Sequence, residues 1–315
     1  MRELAEWLMA RDDIAVFSHR APDGDAAGSC IASALALRAL GKRAAMFLPG
    51  GVPAYLDFLP FSDRVISDGI PPFPPKCALA VDVSSPELLG DNLKLFEACP
   101  ERAVLDHHES NPMFGQLNVV RPERAATGEM VLELIRMLGV DLTKDMATCL
   151  FAAISSDTGH FNYSNTTAEA LEAAADCVRA QADVDLITRR IYRTRTFART
   201  KLLGLALSNA SVECGVAYAC VTNRMFQETG AARADTERII NYLIEIEGVR
   251  AAALFTEQED GMTRVSLRSV APYNVARDVA LPLGGGGHER AAGITVPLPL
   301  DEAVRKVLKR IEEVL

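Results

Sequence analysis

The sequence predicts an α/β protein: an N-terminal parallel-sheet domain with helices on both faces, and across a cleft from it a smaller mixed α+β domain. Three observations lead there. Short apolar runs alternate with helical patterns through about residue 160. Those runs are apolar almost without interruption, as strands covered on two faces are. From about Ala206 onward the pattern changes to strands, with only two helices among them. The chain of 315 residues is 49% hydrophobic and 24% charged, so it buries a large core without staples and has room for two domains. That balance excludes a disordered or collagen-like chain.

The first strand is IAVFS at 14–18, followed by an Ala/Leu-rich helix from about Ala26 to Leu40. AAMFL at 44–48, CALAVDV at 77–83 and RAVLD at 102–106 are the next strands, which leaves Asp82 and Asp106 at strand ends. Helices are expected at roughly 127–139, at 143–155 and from Thr166, where Thr-Thr-Ala-Glu169 has the form of a capping box. Six basic residues and no acid lie between Arg189 and Lys201. This stretch reads as a helix and connector, its charge either a solvated face or the lining for a polyanion. VECGVAYACV, AAALFTEQ at 251–258 and TRVSLRS at 263–269 are then strands, with helices near 235–247 and 301–314. The expected division is a catalytic domain over 1–188, a linker over 189–205 and a substrate-binding domain over 206–315.

Composition narrows the function. The seven cysteines contain no CxxC pair, which speaks against a disulfide framework or a zinc ribbon. No uncharged apolar run approaches about 18 residues, so a cytoplasmic protein with no membrane partner is expected. A net charge of -9, from 33 basic and 42 acidic residues, argues against a stable long-DNA partner without forbidding one basic cleft.

The chemistry concentrates in five segments. SHRAPDGDAAG at 18–28 follows the first strand and supplies His19, Asp23 and Asp25. Loops at the C-terminal ends of parallel strands are where open α/β sheets place their sites; the same segment also suits an Asx turn with a helix N-cap. Asp82 ends an apolar run. LDHHES holds Asp106, His107 and His108, and since neighbours on an extended chain point to opposite faces, the chain must turn if both imidazoles are to reach one centre. ISSDTGHF adds Asp157 and, beside it, His160. Asp23, Asp25, Asp82 and Asp157 at one sheet edge would raise one another's pKa unless a counter-charge is present. A His/Asp set without thiolate favours Mn²⁺ over Mg²⁺, Co²⁺ or Zn²⁺. Six or so ligands fit two ions about 3.5–4 Å apart, the arrangement that serves in-line phosphoryl displacement. In the fifth segment, LGGGGHERAAG at 283–293, successive glycines expose backbone N–H groups to a phosphate or sugar edge, or else form a turn before a strand. Arg268 in SLRS is a further cation, for a ligand or for the surface.

These segments, in this order, resemble the DHH phosphoesterase superfamily, named for the triad seen here as Asp106-His107-His108. GGGGH with AAG at 291–293 resembles the signature of its DHH-associated C-terminal nucleic-acid-binding domain. In length and plan the chain looks most like the bifunctional oligoribonuclease and 3′-phosphoadenosine 5′-phosphate phosphatase group, the nanoRNases. The resemblance implies two divalent metal ions, one held by His19, Asp23 and Asp82 and the other by Asp25, Asp82, His107 and Asp157, with Asp82 bridging. It implies that His108 contacts the scissile phosphate or assists its protonation, and that Asp106 orients the neighbouring imidazoles. His160 lies outside that ligand set. Arg268, Ser269, the Gly284, Gly285, Gly286 and Gly287 run and His288 would grip the far phosphate or base of a short RNA or phosphorylated nucleotide substrate. Attack by a metal-activated hydroxide follows from the same likeness, and a homodimer is compatible with it. The rival within the superfamily is a phosphodiesterase for cyclic or linear dinucleotides; the rival from another class is a nucleotide- or RNA-binding protein without catalysis. A manganese pyrophosphatase shares the N-terminal motifs but not the GGGGH tail. A nicotinamide-dependent oxidoreductase would need a GxGxxG after the first strand, where DGD stands instead.

Overall fold

The computed structural model describes all 315 residues, which divide into two compact units, Met1–Thr194 and Arg195–Leu315. The first runs α1 (Arg2–Met9), β1 (Ile14–Phe17), α2 (Gly24–Ala39), β2 (Ala44–Phe47), β3 (Cys77–Val81), α3 (Leu93–Ala98), β4 (Glu101–Asp106), β5 (Leu117–Val120), α4 (Thr127–Met137), α5 (Lys144–Asp157), α6 (Ala168–Arg179) and α7 (Val184–Ile187). Its sheet has the order β2-β1-β3-β4-β5 with every pair parallel. The chain steps outward from β1 to β2 and then returns to the other side of β1 for β3. Such a reversal splays the connections apart and opens a crevice at the C-terminal ends of β1 and β3.

Strand periodicity sorts the core into two layers. Ile14, Val16, Leu79 and Val81 face one way, toward apolar residues of α1, α2, α4 and α5. Ala15, Phe17, Phe47, Ala80 and Val104 face the other way, onto Leu89 and onto Phe96 of α3. Phe17 stacks on Phe47 with ring centroids 5.0 Å apart and meets Phe96 edge-on at 5.7 Å. With both faces covered, the strands are buried along their length, and for that reason they read as unbroken apolar runs.

Two local expectations shift. β5 is half-buried and short, and its LNVV carries too little apolar signal to stand out. The cap of α6 is Thr167, whose hydroxyl accepts the N–H of Ala170, so the expected box between Thr166 and Glu169 does not form. Thr166 is already committed, its N–H closing a turn onto the Tyr163 carbonyl.

The second unit contains α8 (Phe197–Ser208), β6 (Ser211–Glu213), β7 (Val216–Val221), α9 (Asn223–Thr229), α10 (Ile239–Ile244), β8 (Ala251–Glu257), β9 (Thr263–Ser269), β10 (Gly286–His288), β11 (Ala291–Val296) and α11 (Leu300–Glu312). The sheet order is β10-β11-β9-β8-β7-β6, and only β7 and β8 run parallel. Ala303, Val307 and Ile311 of α11 cover one face; Leu202 and Ala206 of α8, Phe226, Ile239 and Leu243 cover the other. Residues 197–205, expected in a linker, therefore belong to a helix of this core. Its apolar side chains at helical spacing are buried in the second unit, which leaves Thr194–Arg195 as the division. VECGVAYACV is a hairpin, broken at Cys214 and Gly215, which take φ +49 and +81.

The packing of α2 and of α4 on α5 leaves no room for a side chain at Gly28 or Gly128. A methyl group on Gly28 would collide with the backbone carbonyl of Cys149, and one on Gly128 would lie 2.6 Å from Cβ of Ala153. Glycine is otherwise unfavourable inside a helix by about 1 kcal/mol relative to alanine. Gly28→Ala should therefore destabilise the protein, by about 1–3 kcal/mol from overpacking. Gly204→Ala, on α8 with open space around the new methyl, should be neutral or stabilising by up to ~1 kcal/mol. Urea unfolding of the two variants beside the parent checks the pair.

Candidate metal centre

Four segments, at the C-terminal edge of the parallel sheet and at a helix end, bring the acids and imidazoles together. His19 follows β1, and its Nδ1 lies 2.9 Å from the carbonyl of Arg20, which directs Nε2 inward. Asp23 is the N-cap of α2, one carboxylate oxygen accepting the N–H groups of Asp25 and Ala26 at 3.0 Å each. The helix cap and a place beside His19, whose Nε2 is 4.0 Å away, are thus filled by the same side chain. Asp25 stands in the first turn of α2 and is fully buried. Asp82 directly follows β3 at φ +57. Asp157 is the last residue of α5.

The chain turns after β4, and this turn brings both adjacent imidazoles to one side. The rings of His107 and His108 lie 4.5 Å apart, edge to face. Nδ1 of His107 is 3.1 Å from the Arg124 carbonyl, which leaves Nε2 as the basic nitrogen. That Nε2 is buried, has no hydrogen-bond partner, and faces Asp157 at 3.2 Å, Asp82 at 3.6 Å and Asp25 at 4.0 Å. A nitrogen facing three carboxylates needs positive charge between them, either its own proton or a metal cation that takes the proton's place. The residues present therefore fit a divalent metal, and all the donors are oxygen or imidazole nitrogen.

Potential ligand atoms within 4.8 Å of one another form three overlapping groups: His19, Asp23 and Asp82; Asp25, His107 and Asp157; Asp82, His107 and His108. Asp82 is common to the first and third. Its Oδ2 faces His19 Nε2 at 3.6 Å while its Oδ1 faces His107 Nε2 at 3.6 Å.

Charge crowding is visible in each group. Burial, then the Asp82 and Asp157 charges, push Asp25 well above the usual carboxylate range. Burial also raises Asp157, to about 6, and Asp23 rises through burial and the charge of Asp82. Burial pulls the other way on the imidazoles, yet Asp82 lifts His19 to about 9, and Asp157 with Asp25 and Asp82 lifts His107 to about 10. Asp82 itself is lowered: burial acts against ionisation, and His19, His107 and His108 around it outweigh that.

Asp106 is fully buried at the end of β4. Its Oδ1 lies 2.8 Å from His108 Nδ1 and accepts the His107 backbone N–H at 2.9 Å, and Asn111 Nδ2 donates to Oδ2 at 2.6 Å. Asp106 thus orients one imidazole, that of His108, and not both; the His107 ring is aimed by the Arg124 carbonyl. The hydrogen bond that His108 Nδ1 donates to Asp106 raises the pKa of His108. With Nδ1 engaged, the Nε2 of this half-exposed ring is the end available to a ligand.

The supporting contacts were not visible in the sequence. The N–H groups of Thr127 and Gly128 donate to the two oxygens of Asp25 at 2.6 and 2.8 Å, and Ser29 Oγ adds a third donor at 2.8 Å. Thr127 Oγ1 donates to Asp82 at 3.0 Å. A signal existed: AATGEM begins a helix after a parallel strand, where free N–H groups suit an anion. His160 takes no part. Its Nδ1 lies 2.9 Å from Ser155 Oγ and its ring packs 4.6 Å from that of Tyr192.

The C-terminal residues lie in the second unit. Arg268 on β9 pairs across to Ala291 and lines a groove of about 650 Å³ together with Arg233, Arg238, Arg264 and the backbone of 291–293. Ser269 Oγ is spent on the Tyr273 carbonyl. The glycine run is no loose loop: Gly284 ends a helical turn at φ +80, and Gly286, Gly287 and His288 form the edge strand. A side chain at Gly285 or Gly287 would collide with a carbonyl of β11, whereas Gly284 and Gly286 have open space. His288 is exposed on that edge.

Residues 13–154 match the N-terminal domain of the DHH family, and residues 214–315 match the DHHA1 domain. The chain is 36% identical over 320 residues to the bifunctional oligoribonuclease and PAP phosphatase NrnA of Thermus thermophilus, covering 100% of this chain and 94% of that protein. It is 27% identical to the protein of the same name from Bacillus subtilis, covering 96% and 95%. A crystal structure of an exopolyphosphatase-related protein from Bacteroides fragilis matches with a TM-score of 0.88 at 25% identity, over 99% of this chain and 95% of that one. Sequence motifs, parallel sheet and Asp/His cluster agree with these matches: the chain belongs to the DHH family of phosphoesterases and carries a DHHA1 domain behind its DHH domain.

Proposed function

We propose that this protein hydrolyses short oligoribonucleotides and 3′-phosphoadenosine 5′-phosphate, using two divalent ions, Mn²⁺ by preference. The observation that carries the reading is the pair of Asp/His groups that meet at Asp82. Full-length similarity to two proteins named bifunctional oligoribonuclease and PAP phosphatase supports the substrate class. His19, Asp23 and Asp82 would hold one ion; Asp25, Asp82, His107 and Asp157 would hold the other. When bound, the pair would supply a water activated as nucleophile and charge to offset that on the phosphoryl oxygens.

The remaining steps fall to side chains of the chain itself. The water oxygen gives up a proton and bonds to phosphorus, the ester P–O bond breaks, and the departing oxygen takes up a proton to leave as a hydroxyl, with no covalent enzyme intermediate. His108, fixed through Nδ1 by Asp106, turns Nε2 toward a ligand, and its raised pKa suits donation of a hydrogen bond or proton to the phosphoryl group. Asp106 acts through His108. In the second unit, the groove with Arg233, Arg238, Arg264 and Arg268 suits the remaining phosphate of a short substrate. His288 and the open backbone at Gly284 and Gly286 would add donors there.

The direct test compares product release from 3′-phosphoadenosine 5′-phosphate, an RNA of two to five nucleotides, and cyclic and linear dinucleotides, with Mn²⁺ and after chelation. Cleavage of the first two, lost on chelation and restored by Mn²⁺, is expected. Preference for a cyclic dinucleotide would replace the substrate and keep the chemistry, and silence on every substrate with metal bound would leave a binding protein. Asp82→Ala should lower kcat by roughly 10²–10³-fold or more and reduce the metal bound per chain, read by atomic emission. Arg268→Ala should raise KM about ten-fold while leaving metal content unchanged; loss of metal in that variant would refute the role given to the groove.

A further inference from the structure

Within the Asp/His cluster one residue holds two carboxylates at once. Thr127 opens α4 and is fully buried. Its backbone N–H donates to Asp25 Oδ2 at 2.6 Å and its hydroxyl to Asp82 Oδ1 at 3.0 Å. These acids arrive on unrelated elements, Asp25 on α2 and Asp82 after β3. The two contacts also differ in kind, since any residue but proline could supply the N–H while the hydroxyl belongs to the side chain.

Asp82 needs that hydroxyl more than its neighbours need theirs. Its backbone stands at φ +57, held by an N–H to the Leu105 carbonyl at 3.0 Å. Its carboxylate faces His107 and His108 through Oδ1, at 3.6 and 3.8 Å, and His19 through Oδ2, at 3.6 Å. The terminal torsion of an aspartate is broad, so the backbone alone does not decide which oxygen faces which side. Both oxygens only accept, and the Thr127 hydroxyl donates to one of them.

We infer that Thr127 is a positioning residue: its hydroxyl fixes the Asp82 carboxylate so that one oxygen serves each metal position. This rests on the two-ion reading above. Thr127→Val keeps the β-branched shape and the N–H to Asp25 and removes only the O–H. Thr127→Ser keeps the hydroxyl and loses a methyl.

Calorimetric titration of the metal-free full-length protein with Mn²⁺, electron paramagnetic resonance of the loaded protein, and kcat and KM on 3′-phosphoadenosine 5′-phosphate form the test. The parent is expected to take up two ions per chain and give the spin-coupled signal of a carboxylate-bridged pair. Thr127→Val should weaken uptake of at least one ion about ten-fold or more, diminish the coupled signal, and lower kcat with little change in KM. Thr127→Ser should restore all three. If Thr127→Val binds both ions with parental affinity and gives the parental spectrum, the inference is wrong and the two-ion reading stands. A parent that binds fewer than two ions brings down the two-ion reading instead, and the inference with it. Should Thr127→Val fail to fold, Thr127→Ala removes the hydroxyl without setting a methyl against Asp82 and is judged by the same outcomes.

Discussion

Four carboxylates, Asp23, Asp25, Asp82 and Asp157, stand in overlapping groups whose ligand atoms lie within 4.8 Å of one another, and the first unit is organised around the repulsion this creates. Like charges in a site shielded from water disfavour ionisation strongly. Two sources of positive potential in the chain answer it, the imidazoles of His19, His107 and His108 and the amide dipoles at the start of α4; a divalent cation held in the cluster would take over from the imidazolium protons. The α4 contribution is permanent, because backbone N–H groups neither titrate nor dissociate. It falls on Asp25, the acid most withdrawn from solvent, where a mobile counter-charge has the poorest access.

The topology supplies the meeting place. In the order β2-β1-β3-β4-β5 the loops after β1 and β3 leave in diverging directions, so His19, Asp23 and Asp82 border the same crevice. Asp157 comes from elsewhere, at the end of α5, and reaches the group because α5 lies unusually close to α2. Gly28 makes that approach possible, with the Cys149 carbonyl in the space where any side chain would begin. A glycine in the second turn of α2 thus sets the depth at which a carboxylate about two turns beyond Cys149 enters the site.

The sequence was most legible where pattern and chemistry coincide. Unbroken apolar runs marked β1 to β4, and each acid or histidine just beyond a run proved to lie at the crevice, because parallel strands all end on one edge. β5 and α9 were obscure since LNVV and NRMFQET have little periodicity of their own and owe their form to neighbours. Asp106 was legible as a member of its triad but not in its partners; only a folded loop shows that Asn111 holds one oxygen and that the Arg124 carbonyl aims His107. Thr127 carries no mark beyond its place at a helix start. The glycine run was ambiguous for a reason now apparent: Gly285 and Gly287 are required by the tight pairing of β10 on β11, while Gly284 and Gly286 are free of that demand.

The left-handed backbone at Asp82 has an evolutionary consequence. Few residues accept φ near +57 without a cost of about 1 kcal/mol or more, and glycine and asparagine accept it best. Among carboxylates only aspartate is enriched there, so glutamate is a poor replacement even though it keeps the charge. Glycine or asparagine at this position would relax the backbone and relieve the crowding of acids in one step. On the two-ion reading such a change would add stability while removing the ligand shared by both positions, so a glycine or asparagine here would mark a relative in which that pair of positions is broken.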